Sequence, residues 1–252
     1  MVADDDLHLW VYDRNWNNVG IHPLLPGTLP PCNPERKAAK PDFEAMAYHS
    51  GYLWIFSSGS KKHRISGASV LLDGSGAYVS HAPFDLKNLY GGLSKFIPEL
   101  NIEGAVISED ELILFQRGNG ESCLSGLVYL DLETFCQDME KSHAISFAAF
   151  KRFELITVGA VNDVPYSLTD AVLHRGNLYF LAVAEATVSV VDDGKFMGAV
   201  LGKITSGADP QLTVLDMPSK PEGICFTAED HFLLVTDDDD ETRYSCVYAG
   251  SI

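Results

Sequence analysis

The sequence predicts an all-β fold, a β-propeller, and three observations carry that prediction. One pattern recurs four times: an acid, a small residue, a short apolar run, a turn, and a second apolar run. The acids stand 59, 67 and 52 residues apart, room for about four short strands each, which is the content of one propeller blade. Helical periodicity is confined to two short stretches.

In chain order, the first copy is Phe43-Glu44-Ala45-Met46-Ala47-Tyr48, with its second strand over residues 52–56. The next begins Ile102-Glu103-Gly104-Ala105, followed by a strand over 112–115. The third is Thr169-Asp170-Ala171-Val172-Leu173 with 178–181, and the fourth Pro221-Glu222-Gly223-Ile224-Cys225-Phe226 with 232–235. Ser50-Gly51, Glu109-Asp110, Arg175-Gly176 and Glu229-Asp230 punctuate the hairpins. The nearly all-apolar second strands suit positions sandwiched between neighbouring blades. Runs at 68–72, 126–130 and 199–204 supply outer strands.

Residues 85–97 predict a short surface helix, with Asp85 as N-cap, Leu86, Leu89, Leu93 and Phe96 on one face, and Pro98 closing it. Residues 131–142 are a weaker helix candidate. The proline-rich stretch 23–41 reads as an inter-blade loop, because the repeat continues beyond it. Val2-Ala3-Asp4-Asp5-Asp6 echoes Val235-Thr236-Asp237-Asp238-Asp239, so the chain is expected to start at the end of a second strand. The reading is one domain over residues 1–252 with five blades, the first truncated at its inner strand. Four or six blades are the alternatives.

Charge excludes several roles. Eighteen Lys and Arg face 35 Asp and Glu, a formal net charge of −17. Nucleic-acid binding draws most of its affinity from basic residues, and so does attraction to anionic membranes; neither is expected here. No apolar run is long enough to span a bilayer, and no secretory leader is visible. The five cysteines have no C-x-x-C spacing, which points to reduced thiols and a cytoplasmic setting.

The aligned acids Glu44, Glu103, Asp170 and Glu222 would ring one mouth of the central channel, with Asp4 and Asp237 at the ends of second strands beside them. Two readings stay open: structural caps that accept backbone N–H groups, or convergence on a hard cation, for which Ca²⁺ is the natural choice. Arg117, Asn119 and Glu185 occupy the loops after second strands, and Lys40 and Lys220 precede two of the acids. These five are the ligand-binding candidates, Arg117 either balancing the acids or forking onto a phosphate or carboxylate. No G-x-S-x-G elbow, H-x-H or H-E-x-x-H pair exists, so no catalytic residue is assigned. The acidic run from Asp237 to Glu241 reads as a solvated turn.

As a set, Lys40-Pro41-Asp42-Phe43-Glu44-Ala45, Leu100-Asn101-Ile102-Glu103-Gly104-Ala105, Phe115-Gln116-Arg117-Gly118-Asn119-Gly120, Ser167-Leu168-Thr169-Asp170-Ala171 and Lys220-Pro221-Glu222-Gly223-Ile224 resemble an uncharacterised family of bacterial propeller proteins. That family is more distantly similar to phytase-like, esterase-like and lactonase-type propellers. The resemblance implies Ca²⁺-assisted hydrolysis of a small ester, lactone or phosphate ester. This chain departs from the wider group in lacking an evident catalytic His and in having few phosphate-binding bases. The expected function is therefore small-molecule binding at the channel mouth, with metal-assisted hydrolysis as the reaction class; the alternative is a non-catalytic propeller that binds a ligand or a protein.

Overall fold

The structure is a computed structural model that describes residues 1–186, 194–205, 209–228, 230–237 and 244–252. Thr187, Glu229 and the Asp238-to-Glu241 part of the acidic run lie outside the described residues. It is a β-propeller of antiparallel sheets. The first sheet pairs β1 (His8–Tyr12) with β2 (Asn18–Pro23). The second runs in sequence order through β3 (Phe43–His49), β4 (Tyr52–Ser57), β5 (Ser66–Leu72) and β6 (Tyr78–Asp85). The third holds β7 (Ile102–Ser108), β8 (Glu111–Gln116), β9 (Gly126–Asp131) and β10 (Phe150–Leu155). In the fourth, the short β11 (Ala160–Val161) precedes β12 (Val164–His174), β13 (Asn177–Ala186), β14 (Lys195–Ile204) and β15 (Gln211–Leu215). The fifth is β16 (Pro221–Ala228), β17 (His231–Thr236) and β18 (Val247–Ser251).

Four of these sheets carry an acid-bearing inner strand, β3, β7, β12 and β16. The first sheet has none among the described residues; instead Met1 and Trp10 exchange backbone hydrogen bonds of 2.8 and 2.9 Å beside β1. The hairpins at Ser50-Gly51 and Arg175-Gly176 turn as the sequence predicts. Ser50 and Gly51, and Arg175 and Gly176, all have positive φ, the mirror-image turn that matches strand twist.

The inner strands share a feature that the sequence does not show. In β3, β7 and β16 the register slips by one residue at Glu44, Glu103 and Glu222, so each acid is the extra residue of a β-bulge. Bulges bend a strand and re-aim one side chain, which here is the acid at the channel mouth. In β12 the extra residue is Thr169, not Asp170. Asp170 therefore sits one place further along its strand than the sequence alignment puts it.

Backbone bonds stitch sheet to sheet at this level. The N–H of Ile102 donates to Ser58, that of Leu168 to Arg117, and that of Asp42 to Asp4. Asp4 thus holds in the first sheet the place of Ser58 and Arg117, as its echo of Asp237 predicts. Four apolar cores join successive sheets. Leu9 and Leu24 pack with Ile55 and Val70 between the first and second. Phe56, Phe84 and Trp54 meet Leu114 and Val128 between the second and third. Phe115 meets Phe180, and Leu181 meets Leu234, in the last two. Among the described residues no such core joins the fifth sheet to the first.

The helices are short. α1 (Glu35–Ala39) interrupts the 23–41 loop. α2 (Lys87–Leu93) is shorter than the expected 85–97: Asp85 ends β6, and its Oδ1 accepts the Lys87 N–H from outside the helix. Leu86, Leu89 and Leu93 are buried as expected, but Phe96 is exposed. The weaker candidate is the longer helix, α3 (Leu132–Ser142), because Asp131 caps it through the Thr134 N–H and hydroxyl while Phe135 and Met139 anchor it on the core. All five cysteines are free thiols.

Candidate functional site

Glu44, Glu103, Asp170 and Glu222 line one channel cavity of about 980 Å³, together with Asp4, Lys40, Arg117, Asn119, Lys220 and Asp237. The mouth divides into two clusters of charge. On the side of the second sheet, Lys40 Nζ pairs with Asp4 and lies 3.0 Å from Asp42 Oδ1. Arg64 Nη1 donates to Asp42 Oδ2 at 2.6 Å and to Ser60 Oγ at 2.7 Å, and the Ser58 and Ser60 hydroxyls also donate to Asp42. Gly59 makes this loop feasible: its φ is +76°, and a Cβ there would stand 2.8 Å from the Tyr90 ring and 2.9 Å from Leu100. The loop thus serves the Asp42 carboxylate through its Ser58 and Ser60 hydroxyls.

On the other side, Arg117 forks between two sheets. Its Nη1 donates to Glu103 at 3.1 Å and its Nη2 to Glu185 at 2.6 Å, with both carboxylates buried. Lys220 lies 2.9 Å from Glu222 and 3.6 Å from Glu185. Asn101 Nδ2 donates to Glu103 at 2.8 Å and to Asn119 Oδ1 at 3.4 Å. Asp170 Oδ2 accepts the Ile224 N–H at 2.8 Å, tying the fourth sheet to the fifth. Asp237 is exposed at the end of β17, and its N–H donates to the Lys220 carbonyl. The ligand candidates Arg117, Glu185, Lys40 and Lys220 are thus engaged in ion pairs with one another's acids.

These groups set seven carboxylates (Asp4, Asp42, Glu44, Glu103, Asp170, Glu185, Glu222) against four bases (Lys40, Arg64, Arg117, Lys220). Burial first, with this imbalance adding to it, raises the titration of the acids. Burial pushes the Asp170 carboxyl up to about 8, against the pull of the Ile224 and Ala171 N–H groups. Burial likewise raises Glu103 to about 8; Arg117 opposes this, while Glu222 and Asp42 reinforce it. Glu222 is raised by burial despite Lys220 and Arg117. Glu44 stands well above the carboxylate range because of burial, then repulsion from Glu103 and Asp42, with Lys40 offsetting part. Burial works against the Arg117 charge, but Glu103, Glu222 and Glu185 outweigh it and hold the guanidinium well above its usual range.

Glu44 is the odd member, since no hydrogen bond or ion pair reaches its carboxylate among the described residues. One oxygen each from Asp4, Asp42 and Glu44 lie within 4.8 Å of one another. Oxygens sharing one Ca²⁺ at 2.3–2.6 Å are separated by at most about 5 Å, so this donor set fits a hard divalent ion. Asp42 and Arg64 are the members that sequence reasoning missed. Asp42 stands two residues before Glu44, and the Lys40-Pro41-Asp42 string was the available signal. Arg64 ends the Lys61-Lys62-His63-Arg64 turn, where nothing marks it as buried.

Fold and site together define a β-propeller whose channel mouth holds an acid-rich, partly compensated charge network. The chain belongs to the family described as "Family of unknown function (DUF6929)", whose model matches residues 1–252. No curated protein matches it in sequence. Among solved structures, a luciferin-regenerating enzyme is similar at 10% identity and a TM-score of 0.42, over 78% of this chain and 52% of that one. The chain therefore spans about half the length of that enzyme. Among the described residues, no helix is long and apolar enough to cross a membrane.

Proposed function

We propose that the protein binds a small molecule at the channel mouth, with a hard divalent cation, Ca²⁺ by preference, held by Asp4, Asp42 and Glu44. The observation that carries this reading is the Glu44 carboxylate, inside the channel and without a hydrogen bond, within one coordination sphere of Asp4 and Asp42. A cation there relieves the repulsion among the acids and releases Lys40 from Asp4 and Asp42. Lys40, Lys220, Arg117 and Asn119 then border the space where a ligand's polar group sits. Glu103, Glu222 and Asp170 contribute field rather than direct ligation, because each already has a partner.

Metal-assisted hydrolysis of a small ester, lactone or phosphate ester is the second reading, and Asp170 favours it. A channel carboxyl that titrates near neutral pH is suited to carry a proton to or from a reacting group.

The test is thermal. A ligand bound only by the native state at a hundredfold excess over its Kd adds about 2.7 kcal/mol. At this chain length that is a rise of roughly 5–10 °C. Millimolar Ca²⁺ is expected to raise the melting temperature, salt-matched Na⁺ is not, and Glu44→Gln is expected to remove most of the gain. Identical melting curves in Ca²⁺ and in chelator would discard the cation site. Turnover of generic esters, lactones or phytate that depends on Ca²⁺ would select the hydrolase.

A further inference from the structure

The bases of this acidic chain are not spread evenly. Arg36, Lys37 and Lys40, in and just after α1, and Lys61, Lys62 and Arg64, in the loop between β4 and β5, are six of its eighteen Lys and Arg. The fold brings the two segments together. The charges of Arg64, Lys37 and Lys40 all act on the Lys61 ammonium, and those of Arg64 and Lys61 act on His63. Three of the six have acid partners: Arg36 donates to Asp5 at 2.7 Å, Lys40 pairs with Asp4 and Asp42, and Arg64 Nη1 donates to Asp42. Among the described residues no ion pair reaches Lys37, Lys61 or Lys62. Arg64 also keeps its Nε and Nη2 buried and without a hydrogen bond. These two atoms share one edge of the guanidinium, the fork that takes two oxygens of a carboxylate or phosphate.

A separate cleft of about 310 Å³ opens beside these bases. Leu7, Leu25, Leu29 and Pro41 give it an apolar wall, while Lys40, His63 and Ser66 bring polar atoms to it. Its lining and that of the channel cavity share Lys40 alone. Its volume equals the liquid volume of about ten waters, the size of a small organic molecule. Burial, and then the Arg64 charge, lowers the pKa of both the Lys61 ammonium and the His63 imidazole, against the pull of Asp42. Like charges crowded in this way are relieved by a bound anion.

We infer that this cleft is a second binding site, for a small organic anion with an oxyanion head, phosphate or carboxylate, on a short apolar body. The body lies against Leu7, Leu25 and Leu29. Lys61 and His63 from the turn and Lys37 from α1 supply charge to the head, and the free edge of Arg64 offers it two donors. Charge also sets the size of the ligand. At physiological salt a charge is screened beyond about 8 Å, so a small anion feels these bases and little of the distant acids. A polyanion spread over the surface meets the rest of a chain whose net charge is −17. The inference does not rest on the cation site, and its test is run without divalent ions.

The whole chain, stripped of divalent ions on a chelating resin, is titrated with phenyl phosphate, benzoate and inorganic phosphate. Calorimetry gives the affinity, and acetylation of Lys61 followed by mass spectrometry gives the place, with the exposed Lys87 as internal reference. Phenyl phosphate is expected to bind one to one and to slow Lys61 acetylation at least fivefold while Lys87 is unaffected. The apolar wall should make it bind at least threefold more tightly than inorganic phosphate. Benzoate giving the same pattern at higher affinity supports the site equally and assigns the head as a carboxylate. Lys61→Gln and Lys37→Gln break no ion pair and are each expected to weaken binding at least threefold. Thr28→Glu, at an exposed position of the cleft, is expected to weaken it at least tenfold. The inference is overturned if Lys61 and Lys87 are slowed equally or not at all, or if Thr28→Glu and Lys61→Gln leave the affinity unchanged. It is also overturned if inorganic phosphate binds as tightly as both organic probes, since the cleft then contributes nothing.

Discussion

Arg117 is the charge at the channel mouth most open to test, because its side chain bridges a carboxylate of β7 and one of β13. It is nearly fully buried and donates to Glu103 and Glu185 on two different sheets. Replacing it with Met keeps length and volume but leaves the buried Glu103 without its base and Glu185 with Lys220 at 3.6 Å. Removing one partner of a buried ion pair costs about 3–5 kcal/mol. For a chain of this size that is a drop of roughly 6–20 °C in melting temperature. The deficit should also depend on pH. Arg117 holds the Glu103 carboxyl down, so its loss raises a folded-state pKa that already lies near 8, above the unfolded value of 4.5. A carboxyl raised in this way keeps its proton in the native state after the unfolded chain has lost it. Stability therefore falls as pH rises between those values in both proteins, and the Arg117→Met deficit should grow from pH 7 to pH 9, where wild-type Glu103 loses its proton and the variant's does not. Scanning calorimetry at the two pH values measures both effects. Adding Glu103→Gln and Glu185→Gln should recover more than half of the loss by neutralising the stranded acids. A variant that melts within about 2 °C of wild type at pH 9 would refute the reasoning, since the network would then carry almost none of the stability assigned to it.

Three more outcomes are expected. Asp170 titrates near 8 in the fold against 3.8 when free, so wild-type stability should decline between about pH 4 and pH 8; urea midpoints for Asp170→Asn should show a shallower decline, and an unchanged slope would mean that Asp170 is ionised in the native state. Gly202→Ala would place a Cβ 2.0 Å from the buried Phe180 ring, an overpacking that should cost about 1–3 kcal/mol, whereas Gly74→Ala, with open space around it, should cost far less; equal effects would argue against the close packing of β14 on β13. Asp131→Ala should lose about 1 kcal/mol by uncapping α3, and chemical denaturation of the variant would detect it.

The sequence carried much of the architecture because its signals are local. Alternation, turn residues such as Ser50-Gly51 and the repeated acid-small-apolar motif sit within a few residues of one another. The echo of Val2-Ala3-Asp4 in Val235-Thr236-Asp237 likewise placed Asp4 at a second-strand end, where its carbonyl accepts the Asp42 N–H. Helix lengths were less legible. Whether Asp85 ends a strand or caps a helix is decided by the pairing of β6 with β5, whereas the Asp131 cap of α3 is a local bond.

What the sequence by itself determined is the class of fold and the four repeat acids Glu44, Glu103, Asp170 and Glu222 that line one cavity, since both follow from periodicity. The tertiary structure alone decided which of those acids is compensated. Glu103, Glu185 and Asp170 find their partners 14, 68 and 54 residues away, and Asp42 meets Arg64 at a separation of 22. The one-residue bulges that aim Glu44, Glu103 and Glu222, and that pass over Asp170 in favour of Thr169, arise from strand register. Register and charge pairing are properties of two segments brought together, and neither segment encodes them alone.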